Sequence, residues 1–176
     1  MFDLIRIDAG HGGEDPGAAG QYSYEKDITL KTAHILDYLL FLEGYETKLT
    51  RDDDVKPSWT ERVISSKIDL YVSIHCNAVN NKNVRGIETF HYPGSAAGKM
   101  FAEEVQKELM KRIDTKNRGV KKQDFYVLRE TACPAILVET GFITNENEEE
   151  KLNTLEYQCK IAVSIIEAIK KIKGCD

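Results

Sequence analysis

The chain has 176 residues, of which 41% are hydrophobic and 30% charged, and its formal net charge at pH 7 is −5. This length predicts a single domain with a core large enough to fold without disulfides. The acidic balance argues against a nucleic-acid-binding surface, because neutralising phosphates requires clustered Lys and Arg. No apolar run reaches the length of about 18 residues that a membrane span needs, so we expect no span.

The chain starts directly with a predicted strand, so we expect no signal peptide. Three alternatives stay open: the chain works in the cytosol, leaves the cell by another route, or is a domain of a longer protein. The cysteines occur without CxxC spacing, and we expect single thiols rather than a disulfide scaffold. They are Cys76, Cys133, Cys159 and Cys175.

Hydrophobic periodicity and turn residues predict strands that alternate with helices. In chain order these are a strand at 2–8, a helix at 25–42, a strand at 46–50, a short helix from Ser58 or Thr60 to Lys67, strands at 70–74 and 86–92, a helix at 95–113, strands at 125–128 and 135–138, and a helix at 153–173. This alternation predicts an α/β fold: a single domain with a twisted, mostly parallel central sheet of about five to six strands and helices on both faces.

Two histidines and two glutamates occur where a strand ends or a helix begins. His11, His75 and Glu139 follow apolar runs directly, and Glu25 opens the first predicted helix. Sites in open α/β sheets are built at the carboxyl ends of the strands. Right-handed crossovers bring the start of the first helix to the same edge. We therefore expect the four side chains to converge.

Such a set suits a catalytic zinc, which takes three protein ligands and keeps one position open for water. Each residue also has a plainer interpretation. A histidine after a strand is often satisfied by backbone hydrogen bonds, and Glu25 is suited to the positive end of a helix dipole. Glu139 is the strongest single indication, because a carboxylate that follows Ala-Ile-Leu-Val is costly to bury unless a cation meets it.

Other polar residues are weaker candidates. Asn77 and Arg129 lie near the expected edge and are candidates for contacts with the substrate, although ordinary loop hydrogen bonding explains them equally well. His91 is a candidate for lining the cleft, whereas His34 falls on the polar side of its helix. Cys76 neighbours His75 but points to the opposite face of its strand.

The basic run from Lys116 to Lys122 is interpreted as a solvated loop, since short charge runs usually lie in solvent. The run is too short to serve as a nucleic-acid site, which needs a clustered basic surface.

The sequence resembles the zinc-dependent N-acetylmuramoyl-L-alanine amidases, which are found as bacterial autolysins and phage endolysins. The similar stretches, in the family's order and over nearly the whole chain, are IDAGHGGEDPGA, YEKDITL, LTRDDD followed by WTER, VSIHCNA, GIETF, RGVK, YVLRET and PAILVETGFITN. Many members carry proline where Ala9 stands, a change that should not affect the metal.

The resemblance implies that His11, Glu25 and His75 bind one Zn²⁺ per chain and that Glu139 is the catalytic glutamate. It also implies the substrate, the amide between the lactyl group of muramic acid and the first alanine of the peptidoglycan stem. Some members carry an inhibitory helical insertion after the GIETF-like strand. Here residues 92–95 lead almost at once into the next helix, so we expect no built-in inhibition.

Residues 1–176 are accordingly expected to form one amidase catalytic domain, a monomer whose partner is peptidoglycan and whose site of action is the bacterial cell wall. Two rival functions use the same residues: a zinc peptidase that cuts within the stem peptide, and a wall-binding module without activity. Whether the chain is a host autolysin, a sporulation enzyme or a phage endolysin stays open.

Overall fold

The computed structural model describes residues 4–63 and 67–174. Within these residues the strands are β1 (Leu4–Ala9), β2 (Glu46–Leu49), β3 (Leu70–Asn77), β4 (Ile87–His91), β5 (Asn117–Lys122) and β6 (Ala135–Phe142). The helices are α1 (Glu25–Leu42), α2 (Trp59–Val63), α3 (Ala96–Arg112), α4 (Tyr126–Arg129), α5 (Glu146–Leu152) and α6 (Leu155–Lys173).

The strands form one sheet in the order β2-β1-β3-β6-β4-β5. Strands β1, β2, β3 and β6 run parallel, β4 runs antiparallel to β6, and β5 runs parallel to β4. The predicted α/β fold with a mostly parallel sheet is therefore confirmed. Parallel order also brings the carboxyl ends of β1, β3 and β6 to one edge.

Side chains alternate between two faces of the sheet. One face packs against α1, α3 and α6 and holds the larger core, to which Cys76 and Val138 belong. The other face carries a smaller core made with α4, including Tyr71, Leu128 and Leu137. Helices α2 and α4 contact each other over this second face, so helices cover both faces as predicted.

Most elements agree with the sequence prediction, and α1 spans the predicted residues 25–42. The predicted strand at 125–128 is wrong, because this segment forms α4; a four-residue apolar run has no period that separates a strand from a helical turn. Residues 2, 3 and 64–66 of the predicted elements lie outside the described residues, and Lys67 lies in a bend with φ of 71°, so the short helix does not extend to it.

The solvated loop predicted at Lys116 to Lys122 is also wrong, since residues 117–122 form β5. This strand lies at the edge of the sheet and lacks apolar alternation, because two of its basic side chains, Arg118 and Lys121, bind the buried Glu88 carboxylate instead of solvent. Helix α5 was not predicted, because its sequence ENEEEKL carries no apolar stripe.

None of the helices within the described ranges combines the length and apolarity of a membrane span. The connection between β4 and α3, residues 92–95, carries no inserted helix. Cys76, Cys133 and Cys159 are free thiols, as expected, and Cys175 lies outside the described residues.

A buried carboxylate on α5 fixes the loop that leads into α1. Glu149 is 1% exposed and accepts hydrogen bonds from the backbone N–H groups of Gln21, Tyr22 and Ser23 at 2.8, 2.9 and 3.0 Å, and from the Ser23 hydroxyl at 2.8 Å. Burial alone would raise the pKa of Glu149, but these hydrogen bonds outweigh it and lower the pKa.

We predict that Glu149→Gln lowers the free energy of unfolding at pH 7 by about 1–3 kcal/mol, because an amide cannot accept all four hydrogen bonds. Since the folded-state pKa is lowered, this stabilisation is present above the unfolded carboxyl pKa and disappears as pH falls through the folded value. Urea unfolding of both proteins at pH 7 and pH 3 measures it. The exposed neighbour Glu150→Gln is the matched control, and equal stability of the two variants at pH 7 would contradict the role.

Candidate metal centre

Three of the predicted side chains meet at the carboxyl edge of the sheet. One ligand atom from each of His11, Glu25 and His75 lies within 4.8 Å of the others. His11 Nε2 is 3.1 Å from Glu25 Oε2, and His75 Nδ1 is 2.9 Å from Glu25 Oε1. The two imidazole rings are 5.1 Å apart and nearly perpendicular, at 78°. The structure thus brings together the residues that the sequence singled out.

Each side chain is positioned by the element that carries it. His75 projects from β3, Glu25 is the first residue of α1, and His11 follows β1 in a turn with φ of 61°. Backbone N–H groups fix both carboxylate oxygens of Glu25: Ala18 donates to Oε2 at 2.8 Å and Cys76 to Oε1 at 2.9 Å. Each carboxylate oxygen is therefore oriented by one backbone N–H group as well as by one imidazole.

Two glycines make room for these ligands. A Cβ on Gly10 would lie 2.5 Å from Cε1 of His75, and a Cβ on Gly17 would lie 2.6 Å from Cδ2 of His11 and 2.7 Å from Oε2 of Glu25. Gly17 also has φ of +67°, which favours glycine. Larger residues at either position would displace a ligand.

Asp15 orients His11 from the far side of the ring. Its Oδ2 lies 3.1 Å from Nδ1 of His11, and its Oδ1 accepts from the Gly17 N–H. With Nδ1 held by a carboxylate, Nε2 is the ring nitrogen that faces Glu25, and such an outer carboxylate partner is usual for a metal-binding histidine. The sequence prediction did not identify this role of Asp15.

Two buried arginines hold the backbone of the His11 turn, and the sequence prediction missed both. Arg62 donates to Asp8 Oδ1 at 2.6 Å and to the His11 carbonyl at 2.7 Å. Arg51 donates to the carbonyls of Gly10 and Lys26 at 3.0 and 2.7 Å, which ties the turn to α1. The available signal was Asp8 at the end of a buried strand, because a buried carboxylate requires a cation.

Glu139 faces this group from β6, directly opposite His75 on β3 and Glu88 on β4. The side chain is half-buried, and its Oε2 is shielded from solvent without a hydrogen-bond partner among residues 4–63 and 67–174. Burial, followed by the charges of Glu25 and Glu88, raises the pKa of Glu139 to about 7, although His75 acts in the opposite direction.

The donor set suits a cation. Burial alone would lower the pKa of His75, but the hydrogen bond and charge of Glu25 raise it to about 8. The pKa of Glu25 is lowered by both histidines despite its burial. Two imidazole nitrogens and a carboxylate oxygen are a ligand set of catalytic zinc, so these residues can hold that metal.

The residues predicted to contact substrate lie outside this group. Asn77 donates to Glu88 Oε1 at 2.7 Å. Arg129 is exposed and pairs with Asp124 and Glu130 at 2.7 and 2.8 Å. Neither residue lines the cavity that contains the histidines, and their contact with substrate stays a prediction.

The remaining candidates have structural surroundings. His34 is exposed, as predicted, with Nε2 3.1 Å from the Asp52 carbonyl. His91 is buried, its Nδ1 is 2.9 Å from the Tyr92 carbonyl, and it does not line the cleft. Cys76 packs in the core on the opposite face from His75, as its position in the strand predicted.

The group formed by His11, Glu25 and His75 opens into a cavity of about 530 Å³. His11, His75 and Glu139 line its polar end, and α2 and α4 form its walls through Trp59 and Tyr126. A volume of this size is typical of sites for small organic ligands.

Comparison with known proteins supports a common origin for this fold and site. Residues 5–171 match the family model described as N-acetylmuramoyl-L-alanine amidase. LytC of Bacillus subtilis (strain 168), an N-acetylmuramoyl-L-alanine amidase, is 38% identical over 168 residues, which is 93% of this chain but only 34% of LytC. The chain therefore spans about a third of that relative.

Solved structures agree over almost the full length. An N-acetylmuramoyl-L-alanine amidase from Clostridium difficile 630 is 34% identical with a TM-score of 0.93, and the match covers 98% of this chain and 97% of that one. The CwlD amidase of Clostridioides difficile, solved in complex with the GerS lipoprotein, is 34% identical with a TM-score of 0.95 and coverage of 99% and 100%. Because the family match extends over nearly all of the residues from which this sheet and its carboxyl-edge site are built, the chain belongs to the N-acetylmuramoyl-L-alanine amidase family.

Proposed function

We propose that this chain hydrolyses the amide between the lactyl group of muramic acid and L-alanine in peptidoglycan, and that the reaction depends on one zinc ion bound by His11, Glu25 and His75. One observation carries the proposal: three metal-ligand atoms lie within 4.8 Å of one another beside a half-buried carboxylate, Glu139. The family match and the name of LytC support the choice of bond.

Zinc fits the two imidazoles and one carboxylate, and when bound it supplies a Lewis acid that polarises a carbonyl and lowers the pKa of water. The chain's own contribution is orientation. Asp15 fixes the tautomer and ring angle of His11, and the N–H groups of Ala18 and Cys76 fix Glu25. Fixed ligands reduce the reorganisation that binding and catalysis require.

Glu139 is proposed to move the proton. As a carboxylate it accepts a proton from the attacking water, and it then donates this proton to the nitrogen that leaves as the amine of alanine. Burial raises the pKa of Glu139 toward the working pH, where a catalytic acid–base group works best, and a cation held by His11, Glu25 and His75 would act in the opposite direction. No hydrogen bond to the described residues has to break before Oε2 of Glu139 accepts a proton, because this atom makes none.

The site of action is proposed to be the bacterial cell wall, with residues 1–176 as the catalytic domain and peptidoglycan as the partner of a monomeric chain. The family name and LytC support the wall substrate. The GerS lipoprotein is bound by CwlD, and no lipoprotein partner is proposed for this chain.

Product analysis distinguishes amidase activity from the two alternatives, peptidase activity and wall binding without catalysis. We expect the zinc-loaded chain to release intact stem peptides with a free N-terminal alanine from purified peptidoglycan, and a zinc chelator to abolish the release. Mass spectrometry of the soluble fragments measures both. Peptides cut internally would instead identify a peptidase, and chelator-insensitive binding without release would identify a wall-binding module.

We predict that Glu139→Gln lowers the rate of stem-peptide release at least ~10²-fold, because general acid–base catalysis typically contributes that much. Zinc content and the unfolding transition should stay close to those of the parent. The matched control is Glu103→Gln on α3, where the carboxylate is exposed and distant from the cleft. Full activity in Glu139→Gln would exclude the proposed proton transfer.

We predict that His75→Ala lowers bound zinc to well below one ion per chain after dialysis, because it removes one of three protein ligands. Elemental analysis of the purified protein measures this without any activity assay. His34→Ala, which removes an exposed histidine, should keep the zinc content of the parent. A fully zinc-loaded His75→Ala variant would remove His75 from the ligand set.

A further inference from the structure

A pair of aromatic residues lines the cleft and has no function in the proposed proton transfer. The ring of Trp59, the first residue of α2, lies 5.7 Å from that of Tyr126, the first residue of α4, at an interplanar angle of 61°. Both residues line the same cavity as His11, His75 and Glu139.

Core packing does not account for the exposure of Trp59. The residue is 66% exposed and occupies an otherwise polar segment, KPSWTER. Its partner Tyr126 is half-buried, and the Arg129 guanidinium lies 5.6 Å from the centre of its ring. A large apolar surface kept open beside a cleft is typical of a binding surface.

The opposite side of the site has a different chemistry. Glu88, beside Glu139 in the sheet, is bound by Arg118 at 2.8 Å and also by Lys121, so that two cations share one carboxylate. These groups lie on β4 and β5, on the side of β6 away from β3 and outside the cavity that the histidines line. Helix α2 lies over β1 instead, since Arg6 of β1 donates to the Arg62 carbonyl at 3.0 Å.

Glu139 therefore lies between an aromatic side and a cationic side. The substrate named in the proposed function also has two chemically different parts, a sugar and a peptide. A pyranose presents uncharged faces of C–H groups, which pack against the electron-rich faces of aromatic rings. A peptide arm carries carboxylates, which suit the side of Arg118 and Lys121.

We propose that Trp59 and Tyr126 form a saccharide subsite, on which a pyranose ring of the glycan stacks while the peptide extends toward β4 and β5. This inference rests on the proposed function, because the two arms are those of a muramoyl peptide. Trp59 is a specificity-determining residue in this arrangement and takes no part in the bond cleavage.

Trp59 is the one tryptophan among the 176 residues. Tryptophan emission, excited at a wavelength that tyrosine does not absorb, therefore reports on Trp59 alone. With the zinc-loaded wild-type chain, we expect the disaccharide of N-acetylglucosamine and N-acetylmuramic acid to shift or quench the emission saturably. The free stem peptide, which lacks sugar, should leave the emission unchanged. A change with peptide only, or with neither probe, would overturn the proposal.

Kinetics test the same subsite independently. For a disaccharide-bearing stem peptide, Trp59→Ala should raise KM about 3- to 10-fold, the usual range for loss of one aromatic packing contact, with kcat nearly unchanged. Trp59→Phe should restore most of the affinity. A sugar-free N-acyl stem peptide should show the same KM with the parent and Trp59→Ala, and an equal rise for both substrates would overturn the proposal.

Phe41→Ala is the matched control, because Phe41 is a 69% exposed aromatic on α1, outside the cleft. It should leave fluorescence shifts and KM unchanged. Failure of the proposed function is distinguishable: a wild-type chain that binds the disaccharide at Trp59 but releases no stem peptide would support the subsite and refute the amidase activity.

Discussion

The carboxylate of Glu25 is the interaction on which the site depends. Each of its oxygens meets one imidazole and one backbone N–H, so a single buried side chain links the turn after β1, the end of β3 and the start of α1. An unpaired carboxylate buried this deeply would be costly. The fold satisfies it from four directions, and the same geometry leaves the two imidazoles facing a common point.

Two buried arginines fix the backbone of the turn that carries His11, next to this carboxylate. Arg62 and Arg51 donate to backbone carbonyls of the turn that carries His11, and Asp8 neutralises Arg62. Charged hydrogen bonds to backbone are stronger than neutral ones. The turn that carries His11 is consequently held by side chains from segments that follow β2, in addition to the nearby Asp15.

Much of this arrangement could be predicted from the sequence, because strand ends in a parallel sheet share an edge. His11, Glu25, His75 and Glu139 were found in this way, and the structure brings them together. The helix that became α1 was also predictable, since its apolar stripe is long enough to carry a clear period.

What could not be predicted depends on contacts between distant segments. The sequence predicted that Arg118 and Lys121 lie in solvent, because nothing in the nearby sequence indicates that Glu88 will be buried beside them. Arg62 acquires its role only when the His11 turn lies against α2. Trp59 stands in a polar segment whose neighbour in space, Tyr126, is 67 positions away along the chain.

The contact between α5 and the loop before α1 has a consequence for protein synthesis. Glu149 accepts hydrogen bonds from residues that precede it by 126 to 128 positions. A nascent chain that has emerged only as far as β3 already carries His11, Glu25 and His75, but it lacks both Glu139 and the carboxylate that anchors the entry to α1. Such long-range contacts form late in folding. His11, Glu25, His75 and Glu139 can therefore come together only after β6 has emerged, when most of the domain has been made.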